Sequence, residues 1–342
     1  MKPLATVAAA ALLFACESPR TECDPDADTC RLTRTFPPQQ LQAGEEVSDL
    51  CMSWTLNNET ELWVNRVESR NGGLVHHSNW FFVPDFRYDV PDGAWDCAEE
   101  DFDELANALL GGVLHAQSTQ ARTELQQFRD GAAIRVPPFS RVVANVHMLN
   151  ASDQAASTSL AIDVDTIPPA GVTARLVPFE LMYLDLDLSA EARSEFRVDC
   201  DVTDDYRAQV GTDFDARIHW MMPHYHALGD MYDVRILGGE RDGESVFASQ
   251  GDTYGEALGR TFEPPIDLGA AGARGLSFTC GFDNPRPERV GWGIGDQEMC
   301  ILFGFAESSV EFRGTVEHTE AVDPGPPAEH TGPCEVIALR RE

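Results

Sequence analysis

Short stretches in which apolar and polar residues alternate with a period of two constrain this chain more than any other feature. The alternation is clear in SRVVANVHML (Ser140–Leu149), MYLDLDL (Met182–Leu188) and EFRVDCDV (Glu195–Val202). Met231–Leu237, Leu276–Cys280 and Met299–Phe305 are further candidates. Strand side chains alternate between two faces, so each stretch reads as a half-buried β-strand. Pro, Gly, Asp and Asn punctuate the intervals. Many short strands between turn signals predict an all-β chain of sandwiches or barrels.

One helix is expected. It starts near Ala98 and carries Phe102, Leu105, Leu109 and Leu110 at helical spacing, with acidic residues in its first turn. The segment DTIPPAG (Asp165–Gly171) reads as a junction between halves of comparable length. A first domain over 36–170 and a second over 171–342 follow. The tail from Asp323 reads as loop until Cys334.

The N-terminus reads as an export signal. Lys2 is followed by an apolar run too short to span a bilayer, ending LFAC at Cys16. That ending resembles a bacterial lipoprotein cleavage box, so residues 1–16 are expected to be a signal peptide and Cys16 a lipid carrier. Residues 17–35 read as a polar tether. The expected location is lipid-anchored outside the cytoplasm, at the outer membrane of a Gram-negative cell, with no other membrane contact. Export predicts an oxidising compartment. Beyond Cys16 the chain has Cys23, Cys30, Cys51, Cys97, Cys200, Cys280, Cys300 and Cys334, an even set that fits disulfides and contains no C-x-x-C metal motif. The formal charge of −32 argues against a nucleic-acid partner, whose phosphates would be repelled.

Nine histidines carry the chemical signal. His224 and His226 lie in MMPHYHALG, and i, i+2 residues of a strand share a face and can grip one ion. Met299 sits beside Cys300 after a glycine-rich turn. Two imidazoles and a thioether favour copper, because soft sulfur stabilises Cu(I). Without the other ligands Met299 would be ordinary core filler. A second trio joins His76-His77 to His147. Neighbouring strand residues point to opposite faces, so a shared ion needs a bend or the use of different ring nitrogens; Gly72-Gly73 could supply the bend. Three imidazoles without sulfur suit copper or zinc. His219 is assigned to packing, His115 to structure, and His318 and His330 to solvent.

Taken in order, His76-His77, Val146-His147, His224-Tyr-His226-Ala-Leu-Gly229 and Glu298-Met299-Cys300 resemble the copper type II, ascorbate-dependent monooxygenases, the family of peptidylglycine alpha-hydroxylating and dopamine beta-monooxygenase. The match runs from about Leu41 to Phe305. The resemblance implies two tandem jelly-roll-like antiparallel β-sandwich domains and two copper ions per chain. His76, His77 and His147 would hold the electron-transfer copper, and His224, His226 and Met299 the oxygen-activating, catalytic one. An open, solvent-filled cleft would separate them. Ascorbate or a similar reductant, O2 and a small-molecule substrate are the implied partners, and a monomer is expected. The resemblance also suggests Cys51–Cys97, Cys280–Cys300, Cys200–Cys334 and Cys23–Cys30 disulfides.

The chain departs from the peptide-hydroxylating pattern at Met222, where that enzyme carries an arginine for its substrate's carboxylate, and at Ile301 and Phe303. No peptide amidation is expected. These three residues imply a more apolar substrate pocket or, equally, core packing. The alternative to a monooxygenase is a copper-binding lipoprotein that scavenges or stores the metal; a surface module with relic ligands is a third reading. No G-x-S-x-G, H-E-x-x-H or Walker loop points to a hydrolase or nucleotide enzyme.

Overall fold

The computed structural model describes residues 21–22, 30–117, 121–250, 259–293 and 296–340. The expected signal segment, Cys16 and much of the tether lie outside these residues. The chain is all-β, with sheets packed face to face as sandwiches. A sheet of twelve strands runs through the molecule. Its first part, centred on Leu160–Ile167, Leu62–Asn71 and Ala132–Val136, packs against a five-stranded sheet containing Glu46–Thr55, Ser140–Leu149 and Val75–Pro84. Its second part, Ala174–Tyr183, Ile301–Ser308, Ala216–His224 and Arg260–Asp267, packs against a six-stranded sheet centred on Gly229–Leu237, Gly275–Asn284 and Ala192–Asp201.

The two halves have a core each and share one sheet. The chain does turn at the anticipated junction, through a short 3-10 turn at Pro169–Gly171. Immediately afterwards Ala174–Leu176 pairs in parallel with Ala132–Ile134 of the first half, and the sheet continues across. The inner strands of the second half's share, Ala174–Tyr183, Ile301–Ser308 and Ala216–His224, consequently carry buried side chains on both faces. Phe179, Leu181, Leu302 and Ala306 enter the core of the second half. Trp220, Met222, Phe303 and Phe305 enter the core of the first, beside residues such as Trp80 and Phe128. Burying side chains of this size is worth roughly 1.5–3 kcal/mol each.

Several expectations need correction. Cys30–Thr35, assigned to the tether, is a strand that pairs with Leu160–Ile167. The tail is not wholly loop, because Ala328–Thr331 pairs in parallel with Ala192–Asp201. The helix near Ala98 is a 3-10 turn, Cys97–Glu100, followed by α1, Glu104–Leu110. Its leucines 105, 109 and 110 are about half exposed; Asn107 is the buried residue and accepts from the Tyr88 hydroxyl. Polar contacts to the sheet, rather than an apolar stripe, set the orientation of α1. A second helix, α2 (Thr203–Val210), carries no strong periodicity and was not foreseen; Tyr206 anchors it. No helix among the described residues is long and apolar enough to cross a membrane.

The cysteines pair as Cys51–Cys97, Cys200–Cys334 and Cys280–Cys300. Cys30 is also disulfide-bonded, while Cys23 lies outside the described residues.

Two histidines away from the candidate ligands give the fold an acid limit. His115 and His219 are fully buried. Desolvation pushes the first down to about 3 and, with Arg129 and Arg217 nearby, the second to about 4, from an ordinary 6.5. Below 6.5 the unfolded chain binds more protons than the folded one. Stability is therefore full above pH 6.5 and declines as pH falls toward 3–4, by about 1.4 kcal/mol per pH unit per group. Urea midpoints measured from pH 7 to 4 should fall, less steeply for His115→Gln. A flat wild-type profile would refute this account.

Candidate metal centre

The strand Val75–Pro84 pairs with Ser140–Leu149 in a register that skips one residue. His77 stands opposite His147 and Val75 opposite Met148, which leaves His76 as the bulged residue. A bulge breaks strict alternation, so two neighbouring side chains can serve one site. The bend begins just upstream, where Gly73 and Leu74 have φ of 101° and 80°. His147 faces a second irregularity: between Val146–Leu50 and Met148–Val47 the facing strand holds two residues. The three imidazoles each offer a ligand atom within 4.8 Å of the others. Their ring centres stand 5.4 Å (His76–His77), 4.8 Å (His76–His147) and 5.1 Å (His77–His147) apart.

His224 is the last residue of its strand, and His226 lies just beyond it. The alternation holds locally, since Tyr225 turns into the core and stacks on Tyr232. Gly229 closes the turn with its N–H donating to the His226 carbonyl; a Cβ there would stand 2.1 Å from the Tyr225 ring. The segment before Met299 is tied to this turn. Glu298 Oε2 accepts from the His226 N–H at 2.8 Å and Oε1 from the Leu228 N–H at 2.7 Å, while His226 Nδ1 donates to the Gln297 carbonyl at 2.8 Å. Met299 follows, half-buried, and its neighbour Cys300 is pinned to Cys280.

The two ligand sets are not separated by an open cleft. They form one cluster of five rings. His76 and His226 are 5.2 Å apart, His77 and His224 5.3 Å, and His224 and His226 5.3 Å. The cause is the fused sheet, which seats Trp220, Met222, Phe303 and Phe305 in the first core and draws the end of Ala216–His224 against His77. All five imidazoles are at least nine-tenths buried. Burial, followed by the neighbouring imidazoles, pushes His76 down to about 3 and His77 and His224 well below the ordinary value; burial also lowers His226. Neutral imidazole is the metal-ligating form.

Four nitrogens in this cluster are buried without a hydrogen-bond partner: His76 Nδ1, His77 Nε2, His147 Nδ1 and His226 Nε2. Orphaned buried polar atoms are rare and call for an explanation such as an ion. The remaining nitrogens of two of these rings are held from outside. His147 Nε2 lies 2.8 Å from Glu46 Oε1, and His226 Nδ1 meets the Gln297 carbonyl. Metal-bound histidines are commonly oriented in this manner. His76 and His77 offer different ring nitrogens, the second device considered for an adjacent pair. The donor set fits one or two copper or zinc ions; the thioether of Met299 would add a preference for copper.

Met222 and Phe303 are core residues, not the lining of an apolar pocket, while Ile301 is half-buried beside His224 in register. His219 is the bulged residue of its own strand and lies outside the cluster. His318 is exposed, but His330 is buried and stacks on Phe196 at 4.3 Å. Sequence reasoning missed Glu46 and the gripping role of Glu298. It also missed a polar group beyond His77, where Asn79 donates to Glu104 of α1 at 3.1 Å and Glu180 stands 3.3 Å from Arg313. Burial, with Glu180 adding to it, pushes Glu104 up to about 7. A lone Glu in an acidic chain gives no signal of this kind.

No known family model matches the chain, and no curated protein does. Among solved structures, the major capsid protein P2 of bacteriophage PM2 is similar at 10 % identity and a TM-score of 0.34, over 81 % of this chain and 97 % of that one. The PBCV-1 VP54 protein, fitted into a reconstruction of the virophage Sputnik, is similar at 6 % identity and a TM-score of 0.26, over 80 % and 93 %. These likenesses concern strand arrangement, and nothing about function rests on them.

Glu298 is 1 % exposed, and its two backbone contacts fix the His226 turn. Glu298→Ala is expected to lower stability by about 2–3 kcal/mol, the scale of losing hydrogen bonds to a buried acidic group. Urea unfolding checks this; an unchanged midpoint would mean the turn holds without it.

Proposed function

We propose that the protein is an exported copper-dependent monooxygenase of the copper type II, ascorbate-dependent kind, which hydroxylates a C–H bond of a small organic substrate. The observation that carries this reading is the convergence of four orphaned imidazole nitrogens in a buried cluster, with the Met299 segment fastened beside it. Buried imidazole nitrogens without a partner make little sense as packing alone, since each carries an unmet desolvation penalty.

The overall reaction takes substrate, O2, two electrons and two protons to hydroxylated product and water. One oxygen atom enters the C–H bond and the other leaves as water; ascorbate or a similar reductant supplies the electrons. Bound copper would supply the one-electron redox and oxygen chemistry. The chain's residues do the rest. His76, His77 and His147 would hold one ion, with Glu46 orienting His147. His224, His226 and Met299 would hold the other, with Glu298 and the Gln297 carbonyl orienting His226. Burial excludes water from both. Met222 sits in the core, so it offers no clamp for a peptide carboxylate and glycine-extended peptides are not substrates.

A copper-binding lipoprotein without catalysis is the second reading. It is favoured by the closeness of the rings, because closed sites with every position filled are the structural kind. Anchoring through a lipid at Cys16 belongs equally to both readings.

Copper-loaded protein given ascorbate should consume O2 in a substrate-dependent manner when screened against small apolar molecules. Met299→Ile should lower that turnover at least 100-fold while leaving copper at the three-histidine set by metal analysis. Retained turnover would remove Met299 from the mechanism. Copper uptake without any oxygen consumption would favour the second reading.

A further inference from the structure

An imidazole bound head-on to a metal ion places its ring centre about 3.2 Å from the ion, so two rings on a tetrahedral ion stand about 5.2 Å apart. The three rings of the first half are spaced at 5.4, 4.8 and 5.1 Å. His226 of the second half stands 5.2 Å from His76 and 6.2 Å from His77. Within the cluster it brings a buried, orphaned nitrogen from the second half to join theirs; His224 is engaged by a further contact.

We infer that His226 serves the first half's ion as a fourth ligand, so that metal binding by His76, His77 and His147 clamps the two halves together. This rests on the metal-binding part of the proposed function and goes beyond its division into two separate ligand sets. His226 then has two allegiances: to the trio across the interface, and to His224 and Met299 within its own half. Four imidazoles leave no coordination position open, so the clamped arrangement is a resting one. Oxygen chemistry would require His226 to leave the trio.

Geometry around His226 suits this role. Its ring is held at Nδ1 by the Gln297 carbonyl and its backbone by Glu298, so Nε2 stays aimed at the cluster. His226 must close in on the trio, whose ligand atoms lie within 4.8 Å of one another without it; the His77–His226 spacing exceeds the tetrahedral value by about 1 Å. The fused sheet already holds the halves in contact, and the ion adds a bond between the turn after Ala216–His224 and the bulge at His76.

The test uses the full mature chain, freed of metal and titrated with Zn2+ alone, against a chromophoric chelator. Wild type, His147→Ala, His226→Ala, His226→Asn and the exposed control His318→Ala are compared. The Asn variant keeps a donor for the Gln297 carbonyl while removing the ligand nitrogen. His226→Ala and His226→Asn are expected to weaken the first equivalent at least tenfold, as His147→Ala does, and to shrink the zinc-induced rise in Tm; His318→Ala should change neither. One equivalent of Cu2+ should show a four-nitrogen hyperfine pattern that becomes a three-nitrogen pattern in His226→Asn. If both His226 variants bind the first equivalent with wild-type affinity while His147→Ala loses it, the clamp is wrong and the separate copper sites stand. Failure of wild type to bind any metal would overturn both.

Discussion

The parallel pairing of Ala132–Ile134 with Ala174–Leu176 is the contact on which the rest of the structure depends. Parallel strands need a crossover connection, and here the crossover is the stretch containing Ser140–Leu149 and Leu160–Ile167. Residues at the seam are small, with Ala132, Ala133 and Ala174 all buried. Once the seam forms, one sheet carries both halves. The second half's strands then present Trp220, Met222, Phe303 and Phe305 to the first core. With those side chains seated, the end of Ala216–His224 lies against His77.

Two local irregularities turn that proximity into a site. The skipped register at His76 lets adjacent residues serve a common volume, and the paired irregularity opposite His147 completes the trio. Regular strands would have sent His76 into the core of the first half. In the second half the strand simply ends at His224, and a turn closed by Gly229 and gripped by Glu298 aims His226. Bulges next to functional residues are expected where a sheet must re-aim a side chain.

The cluster carries an electrostatic tension. Five imidazoles share a buried volume. Protonating His76, His77, His224 or His226 would place a charge in a desolvated environment beside other rings, and burial lowers the proton affinity of these four. Four nitrogens of the cluster are left without a hydrogen-bond partner. An ion held by rings of both halves, as proposed, would tie metal binding to the closeness of those halves, which two independent sites would not do.

Much of this was legible from residue order alone. Period-two alternation determined the all-β class, because a strand with one buried face must alternate. His76-His77, His147, His224-x-His226 and Met299 stood out because their types and short-range spacings carry ligand chemistry. The cysteine pairings Cys51–Cys97, Cys200–Cys334 and Cys280–Cys300 followed from family resemblance and agree with the disulfides. Alternation fails as a guide where a register slips: ligand chemistry called for a bend or different ring nitrogens at the His76-His77 step, but the bulge at His219 was invisible in advance. α1 was misjudged because its leucines face outward and two polar residues face in. What only the tertiary structure decided was that the halves share a sheet, that Met222 and Phe303 are core, and that two ligand sets meet as one cluster. Each of these depends on pairing between segments far apart in the chain, and local periodicity holds no information about which distant strand edge a given strand will find.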